Sequence, residues 1–492
     1  MDFQKYRFLL PILGGVLVAL SLDFPYVWWM SFLGLVPLLF FIEKTVSVRD
    51  AFWGGCLAGF VLIGGTFIWF WQTLPLSWLG VDNPFLGILY VLISWGAVSL
   101  VLGSSVGIWS VVTRWLLSRN AKLSLILIPF LWILCEYLRT WFFSALTYGE
   151  GTVFGPHFTV GFIGYALAEH PWLLQLAAVG NIYVLSFVLV VANVFAWQAI
   201  KKYTSRQAFY LCAVVFVGIV GMSFVPYSVK STGQTRSLSL AALHTDFPPS
   251  LILPLDELEK RHQVYRELLS EIAQSAAPDI VILPEDTRFF SELVRTGDSD
   301  SYIHSLFTRP VFIVDSARVG DEEKNPKQRI FYLDSAGTVA TRDKLFLVPQ
   351  GEYVPKLFTL IMAMVGISTE KVEAYRTYHP GKEVVAGRTP QSVLVGGLFC
   401  SEIFSPSLYA SVKKEGAHLL VNVASHAWFH HSEMLTHQVR AAAKVRAVET
   451  RLPFIVAANA SPSFALDSYG RTLGEIEGGD SILFVQVEIP LI

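Results

Sequence analysis

Before residue 228 the chain reads as seven apolar runs, Phe8 to Leu22, Val27 to Ile42, Ala51 to Leu74, Pro84 to Ile108, Leu123 to Phe143, Trp172 to Ile200 and Ala208 to Tyr227. About 20 apolar residues carry a helix across the hydrocarbon core of a bilayer, where only internally hydrogen-bonded backbone is tolerated. Runs of this kind leave membrane helices as the expected fold. The first two are short and joined by LDFPY, which suits a tight helical pair. No small-residue cleavage site follows the first run, so it is expected to stay as an anchor and not to be removed as a leader. Composition agrees: 53% of the 492 residues are hydrophobic and only 15% charged, with a mean hydropathy of +0.50. That is too apolar for a wholly soluble chain.

The connections fix an orientation, because Lys and Arg collect on the cytoplasmic side. Lys5, Arg7, Lys44, Arg49, Arg114, Arg119, Lys122, Lys201, Lys202 and Arg206 fall in alternate connections on one face, against Arg139 on the other. An odd number of spans then delivers everything after Tyr227 to the extracytoplasmic side. Net charge is −2, which gives no electrostatic reason to expect nucleic acid as a partner. Cys56, Cys135 and Cys212 lie inside apolar segments, where a thiol acts as a small hydrophobe, and leave Cys400 without an evident disulfide partner.

From about Ser228 charges appear and short apolar strands alternate with helical stretches, an α/β pattern. The expected division is a helical domain over 1–228 and an α/β domain over 229–492. Strands are predicted at LSLAAL (238–243), DIVILPE (279–285), VLVGGLF (393–399), HLLVNVAS (418–425), FIVAANA (454–460) and ILFVQVEI (482–489), with a hairpin over 330–344. Apolar residues at helical spacing predict helices over 255–276 and 432–451. Glu285, Lys344 and Cys400 each stand where a predicted strand stops, and strand ends of an α/β sandwich tend to share one crevice.

A thiol attacks a carbonyl as the thiolate, so it needs a base or a cation beside it. Glu285 can take the proton, and Lys344 can stabilise the oxyanion, a contribution of about 3 kcal/mol for a well-placed donor. Each residue taken singly has a plainer reading: a buried cysteine, a turn carboxylate, a solvated hairpin lysine. The case for chemistry is the trio.

ILPED (282–286), DKLFLVPQGEYVP (343–355) and GLFCSEIF (397–404) resemble, in order and spacing, the blocks around the Glu, Lys and Cys of the nitrilase, or carbon-nitrogen hydrolase, superfamily. LDFPYVWWMSFLGLVPLL, WILCEYLRTW and LLQLAAVGNIYVLSF resemble the membrane part of bacterial apolipoprotein N-acyltransferases. The resemblance implies an αββα sandwich behind about seven transmembrane helices, with Glu285 as general base, Lys344 as oxyanion stabiliser and Cys400 as nucleophile. Glu352 matches the superfamily's second glutamate and Glu402 an accessory carboxylate. The implied reaction is a ping-pong transfer from the sn-1 position of a phospholipid, through a Cys400 thioester, to the amine of a lipoprotein's diacylglyceryl-cysteine. No cofactor or metal is implied, and a monomer in the bacterial cytoplasmic membrane is expected. The alternatives are a membrane-tethered amidase or hydrolase, in which water resolves the thioester, and a silent lipoprotein-binding scaffold.

The chain departs from the family at Ser425 and His426, where Asn and Asp are usual, at Ser401, where an aromatic is common, and after VEIPLI, where the family continues into a further membrane helix. His426, His430, His431 and His437 cluster in sequence but show no H-E-x-x-H spacing, so loop histidines are expected and not a metal site. Trp428 and Phe429 follow a strand and are candidates for lining an acyl-chain pocket. Glu136 and Arg139 are expected to pair with each other near the end of a span. Residues Val365 to Val384 lack periodicity and are expected to form a loop by the site, a lid that opens for lipid.

Overall fold

The computed structural model describes residues 8–79, 81–119, 121–149, 152–202, 235–250, 253–275, 278–321, 324–364, 378–476 and 479–490, with a few scattered positions between 203 and 234. The first part is helical: α1 (Leu9–Asp23), α2 (Val36–Lys44), α3 (Val48–Thr66), α4 (Pro84–Arg119), α5 (Ala121–Leu146) and α6 (Ala177–Lys202). Among the described residues, four helical stretches are long and apolar enough to cross a membrane: Pro25–Lys44, Pro84–Arg119, Leu123–Leu146 and Leu173–Lys202. Of the seven expected, these four are found among the described residues. The first run folds as a helix of only 15 residues. The third ends at Thr66 and is diluted by Gly54, Gly55, Gly59, Gly64 and Gly65. The seventh, Ala208 to Tyr227, and most of the lid expected over Val365 to Val384 lie outside the described residues.

Those glycines have a packing reason. A Cβ on Gly59 would stand 2.1 Å from the carbonyl oxygen of Gly103, and one on Gly103 would stand 2.6 Å from the Gly59 carbonyl carbon. Helices α3 and α4 therefore touch backbone to backbone, the close approach that small residues allow where lipid removes the hydrophobic drive for association. After α3 the chain tightens into a 3₁₀ segment, Ile68–Thr73, which turns Trp69 and Phe70 away from the helix line.

Beyond Thr235 the chain builds two six-stranded sheets among the described residues. The first runs β12-β1-β2-β3-β4-β5 and the second β11-β10-β9-β8-β7-β6. Their strands are β1 (Thr235–Leu243), β2 (Ile280–Ile282), β3 (Phe312–Asp321), β4 (Lys324–Asp334), β5 (Gly337–Asp343), β6 (Gly387–Arg388), β7 (Leu394–Phe399), β8 (Leu419–Ser425), β9 (Phe454–Asn459), β10 (Phe464–Leu466), β11 (Thr472–Glu475) and β12 (Ile482–Pro490). The parallel centres, β1-β2-β3 and β7-β8-β9, are buried on both faces and so read as unbroken apolar runs. Leu240, Ile280 and Phe312 of one sheet meet Val395, Val421 and Ile455 of the other in a shared core.

Helices α7 (Leu255–Ser275), α8 (Phe289–Thr296) and α9 (Ser299–Leu306) accompany the first sheet, where Tyr265, Leu269 and Phe290 pack on Val281 and Ile313. A short helix, α10 (Lys356–Met364), follows Pro355. Helices α11 (Pro406–Lys414) and α12 (Glu433–Thr450) cover the second sheet. Ser432 caps α12, accepting from the Leu435 amide. Val439, Ala443 and Val448 of α12 belong to the same continuous core as Leu22, Ile63 and Leu185 of the helical part. The α/β part thus packs against the helical part through one buried apolar layer.

Candidate active site

Lys344 directly follows β5 and Cys400 directly follows β7, while Glu285 lies three residues past β2, at the start of a turn, its amide donating to the Ala424 carbonyl of β8 at 3.4 Å. Lys344 is 1% exposed. Its Nζ donates to Glu352 Oε1 at 2.7 Å and to Glu285 Oε1 at 3.2 Å. The second oxygen of Glu285 accepts the Ser425 amide at 3.2 Å, and the Cys400 thiol points at the Ser425 carbonyl at 3.9 Å. The last residue of β8 therefore holds the carboxylate and the thiol side by side. Glu352 is fixed in turn by the Val348 amide at 2.7 Å.

Cys400 opens a 3₁₀ turn, Cys400–Phe404, with φ of +24°. A non-glycine residue reaches positive φ only at a cost, and persists there when its surroundings over-determine it. Glu402 supplies one constraint. Its carboxylate accepts the Phe399, Leu345 and Phe346 amides at 2.9, 2.8 and 3.3 Å, and takes a two-pronged bond from Arg342 at 2.7 and 2.9 Å. Both side chains are fully buried. Burial would raise the Glu402 carboxyl, but Arg342 and the amides outweigh it and hold the group ionised. Glu402 is thus already saturated with donors and ties the Lys344 strand end to the Cys400 strand end. Arg342→Met should cost about 3–5 kcal/mol by leaving that carboxylate buried without its cation. Thermal unfolding of the full chain in detergent measures it, and an unchanged midpoint would mean the pair is not holding the turn.

The charges divide sharply. Burial pushes Glu285 up to about 7, with Lys344 pulling down and Glu352 pushing further up. Burial alone would lower Lys344, but Glu285, Glu352 and Cys400 together raise it, so the ammonium is kept. Burial and the Glu285 charge drive the Cys400 thiol up to about 12, against the pull of Lys344.

A cavity of about 370 Å³ reaches this cluster. Glu285, Lys344 and Cys400 line one part, and Phe67, Trp69, Val91 and Val98 of the helical half line another. Trp428 and Phe429 both border it, and Phe429 meets Trp69 edge to face at 4.9 Å between centroids. The histidines have separate partners: His426 Nδ1 with Ser461 Oγ at 2.6 Å, His430 Nδ1 with the Gln72 carbonyl at 2.6 Å, and His431 with Asp246 at 3.3 Å. Glu136 and Arg139 do pair, at 3.5 Å, and are buried. Three contributors escaped the sequence reading. Arg342 sits two residues before Lys344, which places it on the same face of β5 and was a usable signal. Asn459 donates to Ser425 Oγ at 3.1 Å, and Thr159 binds the Cys400 turn, from far parts of the chain with no local pattern to mark them.

The family model described as the apolipoprotein N-acyltransferase N-terminal domain matches residues 14–195, and the carbon-nitrogen hydrolase model matches residues 310–491. The apolipoprotein N-acyltransferase of Geobacter metallireducens is 26% identical over 96% of this chain and 90% of its own length. That of Thermotoga maritima is 26% identical over 94% of this chain and 84% of its own. Along most of its length the chain is thus similar to apolipoprotein N-acyltransferases. It is accordingly an enzyme of the acyltransferase class, with a helical apolar part and a nitrilase-like α/β part. Among solved structures, an amidase from Nesterenkonia sp. is similar at 15% identity and a TM-score of 0.36, covering 54% of this chain and 93% of its own.

Proposed function

We propose that this protein moves an acyl chain from the sn-1 ester of a phospholipid to the α-amine of a diacylglyceryl-cysteine lipoprotein, through a thioester on Cys400. The observation that carries it is the single cavity shared by the Glu285, Lys344 and Cys400 cluster and the aromatic wall of the membrane helices. A water-soluble substrate has no use for such a wall, whereas an acyl chain gains about 0.8 kcal/mol per methylene removed from water.

In the first half-reaction the Cys400 sulfur attacks the ester carbonyl while Glu285 takes the thiol proton. Because the resting thiol is driven up to about 12, the proton leaves during attack and no standing thiolate is needed. Lys344 holds the negative oxygen that develops. Collapse breaks the ester bond, and the departing alkoxide takes its proton from Glu285 to leave a lysophospholipid. In the second half-reaction the lipoprotein amine attacks the thioester carbonyl, Glu285 accepts the ammonium proton, the C–S bond breaks, and the thiolate recovers that proton. Glu352 keeps Lys344 in place throughout. The distribution of Lys and Arg between the spans supports an extracytoplasmic catalytic half, on the side where lipoproteins await modification.

Mass spectrometry of lipoprotein N-termini tests this reading. Cells lacking the chain should accumulate diacylated lipoproteins with free amines, and re-expression should restore the third acyl group. N-acylation that persists unchanged without the chain would overturn it, and acyl chains released as free fatty acid would point to the hydrolase.

A further inference from the structure

The Cys400 turn is gripped from two sides. Arg342 and Glu402 hold its start from within the catalytic half. Its end, the Phe404 carbonyl, is held by Thr159, which belongs to the helical half. Both the Thr159 amide, at 3.1 Å, and the Thr159 hydroxyl, at 2.7 Å, donate to that one oxygen. Thr159 is 1% exposed. Its hydroxyl lies 2.6 Å from the Tyr165 hydroxyl, which accepts from Arg446 Nη2 on α12 at 2.9 Å. Arg446 pairs with Glu449 at 2.7 Å, and Glu449 accepts the Ile182 amide of α6 at 2.9 Å.

The 3₁₀ segment that carries Tyr165, Ile163–Glu169, is itself pinned to the membrane helices. Glu136 of α5 accepts the Ile163 amide at 2.9 Å, and Ser186 of α6 accepts the Gly164 amide at 3.0 Å. A Cβ on Gly164 would come within 2.7 Å of the Ile182 carbonyl oxygen, so no slack separates this segment from α6. Phe404 also packs its ring edge to face on Phe158 and Tyr165, at 5.7 and 6.3 Å. An unbroken set of buried hydrogen bonds thus runs from helices α5 and α6 to the carbonyl four residues beyond the nucleophile.

We propose that Thr159, held by Tyr165 and Arg446, is a positioning residue for catalysis, through which the membrane helices fix the Cys400 turn in its strained conformation. The two grips do different things. Arg342 and Glu402 set where the two strand ends lie relative to one another. Thr159 sets the pitch of the turn itself, because Phe404 closes the 3₁₀ segment that Cys400 opens. Without the second grip the turn can relax toward ordinary backbone at Cys400, and the sulfur moves off the line to the ester carbonyl. Misplacement of about 1 Å costs roughly 100-fold in rate. The loss falls on the chemical step and not on lipid binding, since Thr159 lies outside the acyl cavity's lining. The inference rests on Cys400 being the nucleophile.

The test uses the full chain in detergent and three variants: Thr159→Val, Thr159→Ser and Tyr165→Phe. The probe is a phosphatidylethanolamine with a fluorescent sn-1 chain, followed in single turnovers as label on the protein. Thr159→Val should slow labelling roughly 10- to 100-fold with the half-saturating lipid concentration unchanged, the signature of an interaction felt in the transition state. Thr159→Ser, which keeps the hydroxyl, should stay within about threefold of the parent. Tyr165→Phe removes one oxygen, keeps the ring packing, and should fall between them. Alkylation of Cys400 by iodoacetamide, read across pH, reports the turn without any lipid chemistry, and its profile should move in Thr159→Val and return in Thr159→Ser. Parent-like labelling and alkylation in both Thr159→Val and Tyr165→Phe would overturn the proposal, as would a Thr159→Ser variant as slow as Thr159→Val. If the parent chain alkylates at Cys400 but never takes the lipid label, the acyltransfer reading fails, while the alkylation profiles still decide the role of Thr159.

Discussion

Cys400→Ala should abolish lipid labelling of the protein and N-acylation of lipoproteins, a loss on the order of 10⁵-fold or more, as removal of the covalent nucleophile brings in enzymes that work through an acyl intermediate. Cys400→Ser should do nearly as badly. A serine hydroxyl is harder to deprotonate than a thiol, so Glu285, at about 7, faces a larger gap with an alcohol than with the thiol it serves. Stability should barely change, because Cys400 is partly buried and engages only the Ser425 carbonyl, at 3.9 Å. Relief of the positive φ is unavailable to either replacement, since both keep a Cβ. A labelled phospholipid that still marks the Cys400→Ser protein would show that the nucleophile lies elsewhere. Both variants should fold, and thermal unfolding in parallel separates loss of chemistry from loss of structure.

Glu285→Gln should slow thioester formation by roughly 10²- to 10⁴-fold, the range for losing a positioned general base. The amide keeps the Ser425 contact and the shape of the site but accepts no proton. The pH dependence carries the sharper expectation. Only ionised Glu285 can take the thiol proton, and its carboxyl is raised to about 7. The single-turnover rate should therefore be flat above that pH and fall about tenfold per unit below it. Lys344 stays charged across this window, because its neighbouring carboxylates raise it, so it adds no limb. In Glu285→Gln the low-pH limb should vanish. A parent profile that is flat from pH 5 to 8, or a variant that keeps the limb, would place the titrating group elsewhere.

Much of the architecture could be read from residues alone, for identifiable reasons. The parallel strands β7, β8 and β9 are buried on both faces, so VLVGGLF, HLLVNVAS and FIVAANA stand out as uninterrupted apolar runs. That also made the strand-end position of Cys400 visible, while Lys344 was marked by the end of the hairpin formed by β4 and β5. Strand β3, Phe312–Asp321, was overlooked because VFIV gives way to the charged DSARVGD, and β6, β10 and β11 are two to four residues long. In the helical half, hydropathy registers length but not destination. The run from Ala51 to Leu74 looks uniform, yet its helix stops at Thr66 and Trp69 and Phe70 line the cavity instead of meeting lipid. Conversely, α4 runs on past Ile108 to Arg119 because WSVVTRWLLSR is helix-forming though less apolar. Glu402 shows the limit at the site. Its place two residues after Cys400 suggests chemistry, whereas its five donor groups, two of them from a buried arginine on β5, depend on strand pairing that no local window contains.

In the proposed reaction the acyl chain passes through sulfur at one position, Cys400. Brief incubation of the full protein with a phospholipid of defined sn-1 chain, quenching in acid and mass spectrometry of the peptide bearing GLFCSEIF tests that directly. The expected result is a mass increase on Cys400 equal to that acyl group less one hydrogen, removed by neutral hydroxylamine and absent from Glu285→Gln quenched at the same time. An unmodified Cys400 peptide alongside completed transfer to a lipoprotein amine, or the acyl group on any other side chain, would contradict it.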